Sequence, residues 1–214
     1  MTHKVNNTAM SSDYIFWDED TQVDFILPRG KLYAPGAEHI IPNLEQLTQH
    51  ARRNHLLVVA SVDAHQPDDA EFMQWPPHCI AGTPGQQKIP ETKLEDAYIV
   101  PNVPVELPAD FNNFGQIVVE KQTVDVFTNP NIGRVLQKLG KPPVTLYGVV
   151  TEVCVAIAAR GLLDRGYRVR LVRDAIWPFN QEEGNKSLRE LKARGAELVT
   201  TEEILRSSRS LLPT

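Results

Sequence analysis

Val144-Thr145-Leu146-Tyr147-Gly148-Val149-Val150 runs directly into Thr151-Glu152-Val153-Cys154-Val155-Ala156-Ile157-Ala158-Ala159. The first half is apolar and β-branched, the pattern of a buried strand. The second half continues with small and apolar residues to Asp164 and stops at Gly166, the pattern of a buried helix closed by glycine. A strand that feeds a helix within one turn is half of a βαβ unit. Thr151 is the expected N-cap and Glu152 to Asp164 the expected helix. Cys154 then falls in the first helical turn. There the positive end of the helix dipole and the backbone N–H groups favour a thiolate and can hold an oxyanion.

The same alternation extends in both directions. Upstream, strands are expected at Tyr14 to Trp17, Leu56 to Ser61 and Gln116 to Lys121, with helices over Ile40 to Asn54 and Asn131 to Leu139. Downstream, a strand at Arg168 to Val172 precedes a helix near Glu182 to Arg194, a short strand at Glu197 to Val199 and a helix from Thr201. The fold class is therefore α/β: a single doubly wound domain, its six-stranded, mainly parallel sheet flanked by helices, over residues 14–214 behind a flexible tail, 1–13. One stretch breaks the rhythm. Eight of the sixteen prolines lie between Pro67 and Pro108, and a connection that long is usually a site loop or lid.

Composition narrows the partners. The net charge of -5 is spread over interspersed signs, so no basic face awaits a phosphate backbone and nucleic acid is not expected. No apolar run approaches the roughly 20 residues that span a bilayer, and the first twelve residues lack a signal-peptide core. Two cysteines in a chain of 214 residues read as free thiols in a reducing cytoplasm. A homo-oligomer stays open.

Ligands of such sheets bind beyond the carboxyl ends of the strands, and four places there carry chemistry. Asp20 follows the first strand in Asp18-Glu19-Asp20-Thr21; an aspartate-nucleophile phosphatase would need its threonine one place later. Lys121 closes the third predicted strand on the face of Ile117 and Val119. Cys154 opens a helix. Asp63, His65, Glu71 and His78 fall in or beside the long connection, and two carboxylates with two imidazoles suit zinc, manganese or iron.

Taken together, these segments resemble the nicotinamidase/pyrazinamidase branch of the isochorismatase-like cysteine hydrolases over about Tyr14 to Glu203. The resemblance rests on Asp20-x-Gln22-x-Asp24-Phe25, on Ser61-x-Asp63-x-His65, on Trp75-Pro76-Pro77-His78-Cys79 with Gly82-Thr83-Pro84-Gly85, and on Gly148 to Val155. It departs from the family pattern at Ala64, Gln122 and Glu152. The resemblance implies an amide hydrolase with Asp20 as base, Lys121 as stabilising cation and Cys154 as nucleophile. An oxyanion hole of the Val150 and Cys154 N–H groups and a cis bond between Val149 and Val150 are implied with it. It further implies one divalent metal, zinc first, with manganese or iron as alternatives, on Asp63, His65 and His78, and Glu71 where some members supply a fourth ligand. Phe25 and Trp75 would hold a small-molecule amide such as nicotinamide. Cys79 is expected to be a packed spectator. Two other readings stay open: a cysteine hydrolase for another small amide or N-carbamoyl compound, and a catalytically silent binding domain.

Overall fold

The computed structural model describes residues 14–207 except Asn112; the predicted tail at 1–13 and the last seven residues lie outside them. Seven strands form one sheet: β1 (Ile15–Glu19), β2 (Val58–Asp63), β3 (Ala97–Val100), β4 (Gln116–Lys121), β5 (Val144–Val149), β6 (Val169–Trp177) and β7 (Glu197–Val199). Their order is β3-β4-β2-β1-β5-β6-β7, and every pairing is parallel. From β1 the chain passes to β2, goes out to the edge strand β3 and returns to β4 between β2 and β3; it then crosses to β5 on the other side of β1 and winds outward through β6 and β7. The switch point lies beside β1, where such sheets open a crevice at their carboxyl ends.

The helices are α1 (Val23–Ile26), α2 (Ile41–Arg53), α3 (Ile132–Leu139), α4 (Ala156–Asp164), α5 (Gln181–Ala193) and α6 (Thr201–Ser207). In α2 the buried Leu44, Leu47, Thr48 and Ala51 recur at helical spacing, and α2 packs with α6 while α4 packs with α5. Helix α3 ends at Gly140, whose φ of 72° suits glycine. Asn180 caps α5, its side chain accepting from the N–H groups of Glu182 and Glu183. No helix among the described residues is long and apolar enough to cross a membrane.

The sheet has seven strands where six are expected. The additional one, β3, lies inside the proline-rich connection as an edge strand of four residues. An edge strand bonds on one flank and leaves side chains in water; Ile99 is 56% exposed, so no long apolar run announces it. Strand β6 is also longer than expected, because Arg173 and Asp174 interrupt its apolar pattern where its register with β5 shifts.

The second correction falls on the decisive stretch. Thr151–Val155 forms a π-type turn and α4 begins only at Ala156. Val150 occupies the cap position without a side-chain hydrogen bond, and the buried Thr151 hydroxyl has no partner among the described residues. The expected Thr151 cap is therefore not made. The backbone closes instead through Val155 N–H donating to Val150 O at 3.2 Å, a five-residue loop that widens the first turn. The Val149–Val150 peptide is cis, as expected.

Candidate active site

Four strand ends converge beside the switch point. Asp20 follows β1 with φ of 50°, and its N–H donates to Ser61 O of β2 at 3.0 Å. Lys121 ends β4 in register with Asp63 at the end of β2. All three side chains are buried. Lys121 Nζ donates to Asp20 Oδ2 at 2.9 Å and to Asp63 Oδ1, and stands 4.0 Å from Cys154 Sγ in the turn after β5. One ammonium therefore touches both carboxylates and faces the thiol.

Burial and charge set the protonation states. Burial pushes Asp20 up to about 7, and Lys121 only partly offsets it. Burial likewise lifts the Cys154 thiol well above its ordinary value despite Lys121. The thiolate favoured by a helix dipole is thus not the resting state; Cys154 rests as a thiol beside a carboxylate able to take its proton. Burial alone would lower Lys121, but Asp20 and Asp63 overcome it and hold the ammonium charged. Burial would also raise Asp63, and there Lys121 and the two histidines prevail, keeping it below the usual carboxylate range.

Asp63, His65 and His78 offer one donor atom each, all within 4.8 Å of one another. Asp63 Oδ2 lies 3.5 Å from His65 Nε2 and 3.2 Å from His78 Nε2. The outer nitrogen of each ring is occupied: His65 Nδ1 pairs with Asp69 Oδ2 at 2.9 Å and His78 Nδ1 with Pro76 O at 2.7 Å. That arrangement turns both Nε2 atoms inward, as carboxylate- and carbonyl-supported imidazoles do at metal centres. His65 Nε2 is buried without a hydrogen-bond partner among the described residues. This donor set fits one borderline divalent ion. Glu71 stands outside the three-residue cluster but lines the same pocket.

The sequence holds these groups rigidly. The Gln22 side chain clasps the Asp63 backbone, donating to its C=O and accepting from its N–H, each at 2.8 Å. Asp24 accepts from Cys79 N–H at 2.7 Å and Lys31 N–H at 2.9 Å, which fixes the loop carrying His78. Asp18 pairs with Lys88 at 2.7 Å and accepts from the Thr21 hydroxyl, a structural tie away from the phosphatase alternative. The pocket above is lined by Phe25, Asp63, Glu71, Trp75, His78, Val150, Cys154 and Phe179, among others. Phe25 stands edge-on to His78 at 5.2 Å, and Trp75 stacks on Phe179 at 5.9 Å. Cys79 is buried, free and turned toward Gly85 O.

The sequence matches the isochorismatase domain family over residues 19–103 and 105–203. The chain belongs to the isochorismatase family. Among its relatives it is 24% identical to a nicotinamidase of Saccharomyces cerevisiae over 84% of this chain and 96% of that protein. Its fold is similar to the pyrazinamidase of Pyrococcus horikoshii in complex with zinc, with a TM-score of 0.72, 27% identity and coverage of 88% and 99%. It is also similar to the N-carbamoylsarcosine amidase of Thermoplasma acidophilum, with a TM-score of 0.68, 26% identity and coverage of 87% and 95%.

Within this isochorismatase-family site, three residues escape a reading of the sequence. Asp69 supports His65, and only its spacing of four residues from that histidine could have suggested it. Phe179, from the loop after β6, reaches the pocket through tertiary packing alone. Glu19 is wholly buried within 4.8 Å of the donor atoms of Asp20 and Cys154, though its sequence context is an ordinary acidic cluster.

Proposed function

We propose that this isochorismatase-family hydrolase converts nicotinamide, and pyrazinamide-like ring carboxamides, to the acid and ammonia through a thioester on Cys154. The observation that carries the reading is Asp63. One of its oxygens contacts the Lys121 ammonium beside Asp20 and Cys154, and the other faces both imidazole Nε2 atoms. A nucleophile and a metal pocket thus share one carboxylate at one aromatic-lined opening.

Asp20 takes the Cys154 proton, and the sulfur attacks the carboxamide carbon while the carbonyl electrons move to oxygen. The N–H groups of Val150 and Cys154 hold that oxyanion, one such donor being worth about 3–4 kcal/mol. Protonated Asp20 returns its proton to the amide nitrogen, the C–N bond breaks and ammonia leaves. Water then adds to the thioester with Asp20 accepting its proton; the C–S bond breaks, the acid is released and the sulfur regains a proton. Lys121 keeps Asp20 and the passing thiolate in place throughout. Asp63, His65 and His78 would hold one divalent ion, zinc first, which when bound supplies a Lewis acid for the ring nitrogen. Glu71, which lines the same pocket, would supply a fourth ligand if one is used, and Phe25 and Trp75 would flank the ring.

Ammonia release from nicotinamide, with metal-replete and with chelated protein, tests the reading. Release by the replete protein supports it, and no release in either state overturns the substrate. Ala64, Gln122 and the likeness to an N-carbamoylsarcosine amidase favour a second substrate class, N-carbamoyl compounds, which the same assay with a substrate panel separates.

A further inference from the structure

Strand β1 delivers two acids to the site, and the reaction above uses only the second. Glu19 is 0% exposed, at the carboxyl end of β1, in register with Ser61 of β2 and Gly148 of β5. Its Oε2 accepts from Trp17 Nε1–H at 2.8 Å. Its Oε1 makes no well-formed hydrogen bond among the described residues, and neither do Asp20 Oδ1 and the Ser61 hydroxyl that stands beside Glu19. One oxygen of each carboxyl and Cys154 Sγ lie within 4.8 Å of one another.

The charged and titratable groups facing Glu19 are Asp20, the next residue, Lys121 from β4 and Cys154 from the turn after β5; β2 presents the Ser61 hydroxyl and β5 a glycine. Lys121 is engaged by Asp20 and Asp63, and no ion pair reaches Glu19 among the described residues. A buried carboxylate without a cation, beside a second carboxylate, is strongly disfavoured. A single proton removes both difficulties. It discharges Glu19 and turns the orphaned Oε1 from an acceptor into a donor for an orphaned acceptor.

We propose that Glu19 is a positioning residue held as the carboxylic acid, its Oε1 proton directed at Asp20, so that the other Asp20 oxygen stays on Lys121 and free to act on the Cys154 thiol. Burial, aided by the charge of Asp20, pushes Glu19 well above the carboxylate range in the same sense, against the weaker pulls of Lys121 and of the Ser61 and Trp17 donors. The inference rests on the reading of Asp20 as the base.

Two measurements on the purified full chain test it without substrate. Infrared difference spectra of the wild type against Glu19→Gln at neutral pH should show the C=O band of a protonated carboxylic acid lost in the variant. A pair of carboxylate bands lost instead overturns the proposal. The rate of Cys154 alkylation by iodoacetamide against pH, read by mass spectrometry with Cys79 as internal reference, reports the base beside the thiol. Replacing a neutral acid by a neutral amide, Glu19→Gln should leave the midpoint within a few tenths of a unit, whereas Glu19→Leu, lacking the donor, should raise it by about one unit, a tenfold slower labelling at fixed pH below it. A midpoint lowered by a unit in Glu19→Gln means that an ionised carboxylate was removed, and an unshifted Glu19→Leu means that Glu19 only packs; either overturns the proposal. Should Glu19→Leu not fold, the spectra and the Glu19→Gln midpoint decide. A wild type that releases no ammonia would defeat the proposed substrate and leave these results standing.

Discussion

Cys154 is a buried thiol beside the Asp20 carboxylate, and in the proposed chemistry that pairing makes its reactivity conditional on Asp20. In the sequence the two are 134 positions apart, yet both are legible because each directly follows an apolar strand, and parallel strands bring such ends to one edge. Asp69 and Phe179 are not legible in the same way, since their roles depend on where loops land. The proposed chemistry gives two expectations at this scale. Cys154→Ala should lower kcat by about a thousandfold or more, while elemental analysis finds the bound metal unchanged; loss of the metal would mean that nucleophile and metal pocket are not separable. Asp20 must be ionised to accept the thiol proton, and its value is raised to about 7. The rate should therefore fall as pH drops below neutrality, approaching tenfold per unit. A kcat/KM profile flat down to the ordinary aspartate range would remove Asp20 from the role of base.

The turn after β5 shows what periodicity can and cannot say about an element. A strand, a helix and a cysteine between them are all visible from Val144 to Asp164, but the π-type turn is not, because its residues are as apolar as those of a regular first turn. Tertiary contacts choose it: Asn180 N–H donates to Glu152 Oε1 at 2.7 Å, which ties the turn to the start of α5. Gly148 is the other constraint. Its φ is 121°, and a Cβ there would lie 1.9 Å from Glu19 O across the β1–β5 pairing. Nothing in the side-chain pattern marks that approach; only the identity of the residue does. Gly148→Ala must strain the backbone and push β5 from β1, so a loss of about 3 kcal/mol or more is expected. Thermal melting would measure it, and a melting temperature equal to that of the wild type would show that the two strands can separate locally at no cost.

For the whole molecule, the long proline-rich connection supplies what the sheet alone lacks. It starts at the end of β2, carries Glu71, Trp75 and His78 over the strand ends, and returns as edge strand β3. Its position was legible from its length and prolines, whereas its seating was not, because its buried anchors Ile89 and Leu94 are isolated in the sequence and the His78 segment is held by single polar contacts such as Asp24 to Cys79 N–H. If Asp63, His65 and His78 hold the proposed ion, the segment that carries His78 should depend on it for part of its stability. Metal that binds only the folded chain stabilises it by RT ln(1 + [L]/Kd), about 2.7 kcal/mol at a hundredfold excess over Kd. For a domain of this size that corresponds to roughly 5–10 °C in Tm. Chelation should therefore lower Tm by that order, and His78→Ala should abolish most of the difference between replete and chelated protein while shifting the chelated Tm much less. The difference should also shrink as pH falls, because the His65 imidazole, which burial favours as the neutral ring but whose proton Asp63 and Asp69 hold more tightly than usual, must be neutral to bind. Identical melting with zinc and with chelator, at neutral pH, would mean that Asp63, His65 and His78 form a hydrogen-bonded cluster and hold no ion.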